Sequence, residues 1–318
     1  MEHDVIVLGA SYGGVQALPQ LIGGLPAELP AAVLVVLHTA PNGPGLLPEL
    51  IRKVSALPVR HGMDGEKILR KRVYVAPPDH HLMVDADRIR LVRGPKENRH
   101  RPAVDALFRT AAQSLGPRVI GVVLTGYLDD GTAGLNSVKI HGGITVVQDP
   151  KDAAAGGMPQ SALRNVEVDH CVPLGEMAAL LVRLAKQRAT PRKTKGGTKM
   201  GQRSLTPKAM EKQFGRPTGF VCPECNGPLW ETDSGRSLQF RCHVGHAYSP
   251  DSLLADHADN LERALWSAVR TFDEQAALLR RLAERQVQPL TIGPNLEFRA
   301  REHERNAQLI RDLLQGKR

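Results

Sequence analysis

The residues Gly9-Ala10-Ser11-Tyr12-Gly13 follow the pattern G-x-S-x-G, a turn that presents a nucleophilic serine at the end of a strand. Two other uses of such a turn stand beside that one. A dinucleotide-binding turn needs a second glycine where Ser11 stands, so that backbone can approach a pyrophosphate. A serine that only caps the following helix also fits the spacing. His38 closes the apolar run 31–37, where a dinucleotide fold carries an acid for the ribose; an imidazole there suits proton transfer instead. Asp129 and Asp130 follow a third apolar run, 119–124, across the turn Thr125-Gly126-Tyr127-Leu128. Serine, imidazole and carboxylate together make an acyl-transfer relay. The hydroxyl attacks, the imidazole takes and returns its proton, and the carboxylate fixes the tautomer. Backbone N–H groups of Tyr12, Gly13 and the Gly126-Tyr127 turn would then face the oxyanion. The same residues also read as strand-end caps and turn formers.

A second chemical group lies far downstream. Cys222-Pro-Glu-Cys225 and Cys242-His243-Val244-Gly245-His246 form two knuckles with 16 residues between Cys225 and Cys242. That is the spacing of a zinc ribbon, with four protein ligands closing a structural Zn²⁺ site. Three ligands are Cys222, Cys225 and Cys242. His246 gives the usual width for the second knuckle, whereas His243 abuts Cys242 and is strained for chelation. The remaining cysteine, Cys171, lies alone in an apolar context and reads as a buried strand residue.

The elements that must position these groups can be read from periodicity. Residues 5–8, 31–37, 119–124 and 144–147 are continuous apolar runs, the mark of strands buried on both faces. Residues 72–76 add a strand, and 81–84 with 88–92 form a hairpin across Asp85-Ala86-Asp87. Helices are predicted over 46–53, 103–115 (with Pro102 in the first turn), 132–141 and 175–187. The segment 153–159, Ala-Ala-Ala-Gly-Gly-Met-Pro, reads as flexible. Strands alternating with helices argue for a doubly wound, mostly parallel α/β sheet over residues 1–188, with ligands beyond the strands' carboxyl ends. Ser11, His38 and Asp129/Asp130 all fall there.

The chain has 318 residues, 42% hydrophobic and only 4% aromatic. Residues 186–216 carry ten Lys or Arg against one acid, Glu211, so this segment alone accounts for the net charge of +9. With its Pro, Gly and Thr it reads as a basic flexible linker (189–217) rather than a nucleic-acid-binding face, which would interleave aromatics with the charge. The ribbon then occupies 218–248. From Ser249-Pro250-Asp251 a long helix follows, with Leu254, Leu261, Val269, Ala276 and Leu279 on one stripe. After a break at 288–294 a second helix carries Leu296, Phe298, Leu309 and Ile310. This segment, 249–318, reads as a helical hairpin or coiled coil, paired with itself, a second copy or a signalling partner. No basic-plus-apolar leader opens the chain and no apolar run approaches the length of a membrane span. A cytoplasmic protein, neither membrane-embedded nor specific for nucleic acid, is the expectation.

Several motifs, taken together, resemble the CheB family, the protein-glutamate methylesterases of bacterial chemotaxis. They are Val-Leu-Gly-Ala-Ser-Tyr-Gly-Gly (7–14), Val-Leu-His (36–38), Tyr-Val-Ala-Pro-Pro-Asp-His (74–80), Asn-Arg-His-Arg-Pro-Ala-Val-Asp-Ala-Leu-Phe (98–108), Val-Leu-Thr-Gly-Tyr-Leu-Asp-Asp-Gly (123–131) and Gly-Met-Pro (157–159). The resemblance runs unbroken from about residue 4 to 184. It implies hydrolysis of γ-glutamyl methyl esters on chemoreceptor helices, releasing methanol, with deamidation of some glutamines beside it and no catalytic cofactor. It also implies Ser11 as nucleophile, His38 as base and, because the family's aspartate directly precedes a glycine, Asp130 rather than Asp129 as the acid. Three departures accompany it. Family members commonly carry a receiver domain ahead of the esterase, whereas this chain starts at the esterase's first strand, so relief of inhibition by phosphorylation in cis is not expected. Tyr12 stands where Thr is usual, and Tyr127-Leu128 where Met-Gly is usual. A different class of reading remains: a catalytically weak adaptor that binds signalling proteins through its ribbon and helices.

Overall fold

The computed structural model describes residues 3–187, 215–233, 238–285 and 295–316. Most of the expected basic linker and the break at 288–294 lie outside the described residues. Seven strands form one sheet in the order β3-β4-β2-β1-β7-β8-β9, every neighbouring pair parallel. They are β1 (Val5–Ala10), β2 (Ala32–Leu37), β3 (Val59–His61), β4 (Val73–Val75), β7 (Val119–Val123), β8 (Ile144–Gln148) and β9 (His170–Val172). The intervening β5 (His81–Asp85) and β6 (Arg88–Val92) make the separate hairpin. The central strands are apolar throughout because helices cover both faces. Ile6, Leu8 and Ala10 turn to one face, against α1 (Gly14–Gly23), α2 (Leu47–Arg52) and α6 (Leu174–Ala185). Val5 and Val7 turn to the other, against α3 (Val104–Leu115), α4 (Thr132–Ile140) and α5 (Gly157–Asn165).

Three local expectations are corrected. The small residues at 153–159 do not make a flexible loop: α5 starts at Gly157, and Met158 and Pro159 are buried. Their smallness permits close approach, since a Cβ on Gly126 would lie 2.1 Å from Met158 Sδ and one on Gly157 would lie 3.1 Å from Gly126 O. Pro102 lies ahead of the helix, whose N-cap is Ala103. Cys171 is in a strand but exposed, because β9 is the sheet's edge.

Beyond the sheet, β10 (Arg216–Val221), β11 (Pro228–Asp233), β12 (Leu238–Cys242) and β13 (Ala247–Tyr248) form an antiparallel sheet around Cys222, Leu229, Phe240, Cys242 and Tyr248. Contacts divide the chain into two units, 1–253 and 254–318, so this small sheet belongs with the large one. In the second unit, α7 (Pro250–Glu284) and α8 (Leu296–Leu314) pair through Ala276, Leu279, Leu296 and Ala300, and through the ion pairs Arg280–Glu304 and Arg311–Asp273. Leu254 and Leu261, on the same expected stripe, are exposed. With 19 residues, α8 spans about 28 Å, and the 35 residues of α7 span about 52 Å.

Gly9 is what lets α3 lie on β1: a Cβ there would fall 2.2 Å from Val104 Cγ1. Gly9→Ala is expected to destabilise the domain by about 1–3 kcal/mol, as overpacking does, read as a lower urea midpoint at unchanged slope.

Candidate active site and metal centre

Ser11 follows the last residue of β1, and His38 the last residue of β2. The two strands pair in register up to Ala10↔Leu37, so Ser11 and His38 are the next rung. The His38 N–H donates to Ala10 O (3.1 Å), and the Ser11 N–H donates to Thr125 O (2.9 Å) just beyond β7. Three strand ends thus fix the serine's backbone. Gly13, at φ 81°, turns the chain from strand to α1. Ser11, His38, His100, Lys96, Arg99 and Arg101 share a cleft of about 930 Å³.

His38 has a side chain only 5% exposed, and its Nε2 lies 2.6 Å from Asp130 Oδ2. Its other nitrogen, Nδ1, is buried and has no hydrogen-bond partner among the described residues. The ring stacks on His100, centroids 3.6 Å apart and planes 12° from parallel. Burial and the facing His38 push His100 down to about 3, which leaves it neutral at pH 7. Asp130 also accepts from the amides of Val104 (2.7 Å) and Asp105 (3.1 Å) and from Asn98 Nδ2 (2.9 Å). Burial opposes its charge. The His38 and Asn98 hydrogen bonds outweigh burial and hold the carboxyl well below the usual carboxylate range.

The neighbouring acids behave differently. Asp105, fully buried, is pushed up by burial and by the charge of Asp130. Asp129, pushed up to about 6 by burial, accepts from Ser249 Oγ (2.6 Å) and Ser252 Oγ (3.2 Å) rather than from His38. The two aspartates that the sequence left side by side therefore face different partners.

The expected oxyanion donors divide likewise. Gly126 N–H is committed to Ala155 O (2.9 Å), so that half of the expected Gly126-Tyr127 pair is spent on structure. The amides of Tyr12, Gly13 and Tyr127 have no acceptor among the described residues. The rings of Tyr12 and Tyr127 are exposed and meet each other, centroids 5.1 Å apart.

Asn98, His100 and Asp105 were not singled out as site residues from the sequence, although all three lie in its 98–108 motif. Only the fold shows that the loop before α3 folds back over the ends of β2 and β7.

Cys222, Cys225, Cys242 and His246 bring one ligand atom each within 4.8 Å of one another. Cys225 Sγ to Cys242 Sγ is 3.7 Å, Cys222 Sγ to His246 Nδ1 3.7 Å and Cys242 Sγ to His246 Nδ1 3.4 Å. A tetrahedral Zn²⁺ at ordinary bond lengths sets sulfur–sulfur edges of about 3.7 Å and sulfur–nitrogen edges of about 3.5 Å. The donor set fits. Gly245, at φ 112°, turns the chain so that His246, not His243, faces the cysteines.

Residues 6–181 match the family described as CheB methylesterase. A relative from Methanosarcina mazei, named protein-glutamate methylesterase/protein-glutamine glutaminase 2, is 38% identical over 192 residues, covering 58% of this chain and 52% of its own. One from Leptospira interrogans, named putative protein-glutamate methylesterase/protein-glutamine glutaminase, is 35% identical over 185 residues, covering 58% of this chain and 96% of its own. The crystal structure of the Thermotoga maritima CheB methylesterase catalytic domain superposes with a TM-score of 0.55 at 33% identity, over 57% of this chain and 98% of that one. The chain spans about half the length of the Methanosarcina relative. No described helix is long and apolar enough to cross a membrane.

The loop before α3 also holds a partly buried ion pair, Glu97 with Arg109 (both contacts 2.8 Å). Burial opposes the Glu97 charge, but Arg109 brings it down to about 2 from 4.5. A depressed carboxyl contributes stability above its unfolded value, and loses it as pH falls toward the folded one. Wild type should lose about 3 kcal/mol between pH 4.5 and 2 from this group. Glu97→Gln is expected to lower stability by about 1–3 kcal/mol at pH 7, since it removes the charge partner of a partly buried guanidinium, and to flatten that acid limb. Urea titrations across pH read both effects.

Proposed function

The chain belongs to the CheB methylesterase family, and on that footing we propose that it hydrolyses glutamate methyl esters on chemoreceptor-like proteins through Ser11, His38 and Asp130. The observation that carries the reading is the 2.6 Å contact from His38 Nε2 to Asp130, which leaves Nδ1 unpaired beside a cleft that Ser11 lines. Asp130, ionised, holds the proton on Nε2, so Nδ1 presents its lone pair. Ser11 Oγ attacks the ester carbonyl carbon and its proton passes to Nδ1. The tetrahedral oxyanion lies toward the amides of Tyr12, Gly13 and Tyr127. Collapse expels methanol, which takes the proton back from Nδ1, and leaves an acyl-serine. Water then adds in the same way, its proton passing through Nδ1 to the departing Ser11 oxygen, and a glutamate carboxylate is released. With a glutamine side chain the same path expels ammonia, the glutaminase half of the relatives' names. No cofactor enters these steps.

The division of labour that we propose is an esterase over 1–188, a basic connector over 189–217, a zinc ribbon over 218–248 and a helical segment over 249–318 that pairs with itself or a partner. Cys222, Cys225, Cys242 and His246 would hold one Zn²⁺, which supplies cross-linking to a module too small for a large apolar core.

Ser11→Ala is expected to abolish methanol release from methylated receptor without altering the circular-dichroism spectrum. Asp130→Asn should cut kcat by about 10³–10⁴ with the fold retained. Equal methanol release by Ser11→Ala and wild type would overturn the nucleophile. Purified protein is expected to carry one zinc per chain, lost in Cys222→Ser; well-folded protein free of metal by mass spectrometry would contradict the ribbon.

A further inference from the structure

The loop that carries Asn98 and His100 lies between the catalytic acid and the ribbon, and the ribbon holds it by its backbone. Ala247, the residue after the ligand His246, donates its N–H to Lys96 O (3.3 Å) and accepts from Asn98 N–H (2.7 Å). Lys96 Nζ meets Glu224 Oε1, inside the first knuckle, at 2.5 Å. Gly245 packs over Pro95, whose Cγ would lie 3.2 Å from a Cβ added there.

Asn98 transmits this hold to the site. It is 3% exposed, and both ends of its carboxamide are engaged. Nδ2 donates to Asp130 Oδ1 (2.9 Å) and Asp105 Oδ2 (2.7 Å), while Oδ1 accepts from Ser249 N–H (2.9 Å). Asn98 and Arg99 both have positive φ, 48° and 72°. Two successive left-handed residues other than glycine persist only where their surroundings over-determine them. Here the surroundings include β13 and Ser249, just after the metal cluster. One residue past Arg99, His100 stacks on His38.

We propose that the metal-binding ribbon is a clamp on the catalytic relay, and that Asn98 is the positioning residue through which it acts. Metal orders the second knuckle, the knuckle's exit strand pins residues 96–98, and Asn98 orients Asp130 from the side opposite His38. The family match ends at residue 181, so the clamp is built by a segment outside it. The inference rests on the esterase and zinc readings above. Coupling of this kind is reciprocal: whatever the metal does to the loop, the loop does to metal affinity.

The test uses the full zinc-loaded chain. Zinc is withdrawn with a chelator while amide hydrogen exchange is followed over the whole chain, and Ser11 labelling by a fluorophosphonate is timed. The expected result is faster exchange at Asn98 and Ala247, unchanged protection in β1 and β7, and labelling slowed by about tenfold or more, as misplacement of a reacting group commonly costs. Zinc return restores all three. Unchanged exchange at Asn98 and unchanged labelling would overturn the clamp, and so would loss of protection throughout the large sheet. Asn98→Ala supplies the reverse direction. It should lower kcat far more than it changes KM, and should weaken zinc affinity, measured at equilibrium against a chromogenic chelator, by about fivefold or more, the size of an ordinary coupling energy. An inactive variant that binds zinc with wild-type affinity would confine Asn98 to the active site and overturn the coupling. Protein that carries no zinc fails the metal reading and the clamp with it. If Ser11 never labels, the esterase reading fails, and exchange and zinc affinity still decide the clamp.

Discussion

A carboxylate with almost no access to water organises the face of this protein on which the parallel strands end. Asp130 stays charged there because four donors converge on it: an imidazole, a carboxamide and the first two amides of α3. Those two amides have no partner inside their own helix, and the residue at the N-cap, alanine, supplies no side chain to meet them. Asp130, the acid of the proposed relay, is therefore also the cap of α3, and the positive end of that helix favours its charge. Asp105, within the first turn of α3, returns the arrangement by accepting from Gly131 and Gly134 at the start of α4. Each aspartate closes the other's helix, with Asn98 between them. Neither can move without freeing buried donors, which explains a rigid acid in a site otherwise made of loops.

The same pairing explains why the two acids do not share one role. Two carboxyls this near in a dry setting cannot both ionise cheaply. The hydrogen bonds decide in favour of Asp130, and Asp105 is pushed toward its neutral form. Asp129, one residue away in sequence, lies on the other side of the turn and holds Ser249. Its elevated pKa reflects burial against the end of the ribbon. A single dipeptide thus joins the His38 cleft to the end of the four-stranded sheet within the first unit.

Much of this was legible in the chain. The apolar runs ending in Ser11, His38 and Thr125 mark buried parallel strands, and a parallel sheet gathers strand ends at one edge. The knuckle spacing singles out Cys222, Cys225 and Cys242, and the strain of adjacent ligation argues for His246 over His243; those four side chains do come together. What was not legible depends on partners distant in sequence. Local pattern could not tell that small residues before α5 serve close packing instead of flexibility, or that Gly126 spends its amide on Ala155. Cys171 looks buried by its neighbours and is exposed on a strand beyond which no other pairs among the described residues. Asn98 carries no signal of its own: its meaning comes from Asp130 on one side and Ala247 on the other.

The orientation of His38 is set by Asp130, while its Nδ1 makes no hydrogen bond to Ser11. Ser11 is on the adjacent strand at the next rung of the register, about 4.8 Å away across the sheet. Asp130 lies beyond β7, on the far side of β1. An imidazole offers one nitrogen close to its own backbone, Nδ1, and one farther out, Nε2. The far nitrogen reaches the distant acid, the 2.6 Å contact to Asp130 being made by Nε2. In the relay proposed for Ser11, His38 and Asp130 the ring would run in the reverse sense to one in which Nδ1 meets the acid, a choice to which the chemistry is indifferent because such a triad is defined by roles. What the sheet demands is that base and nucleophile be neighbours in register. The acid can arrive on any loop that spans the remaining distance, provided something holds it still. Here that hold is supplied by two helix ends and an asparagine.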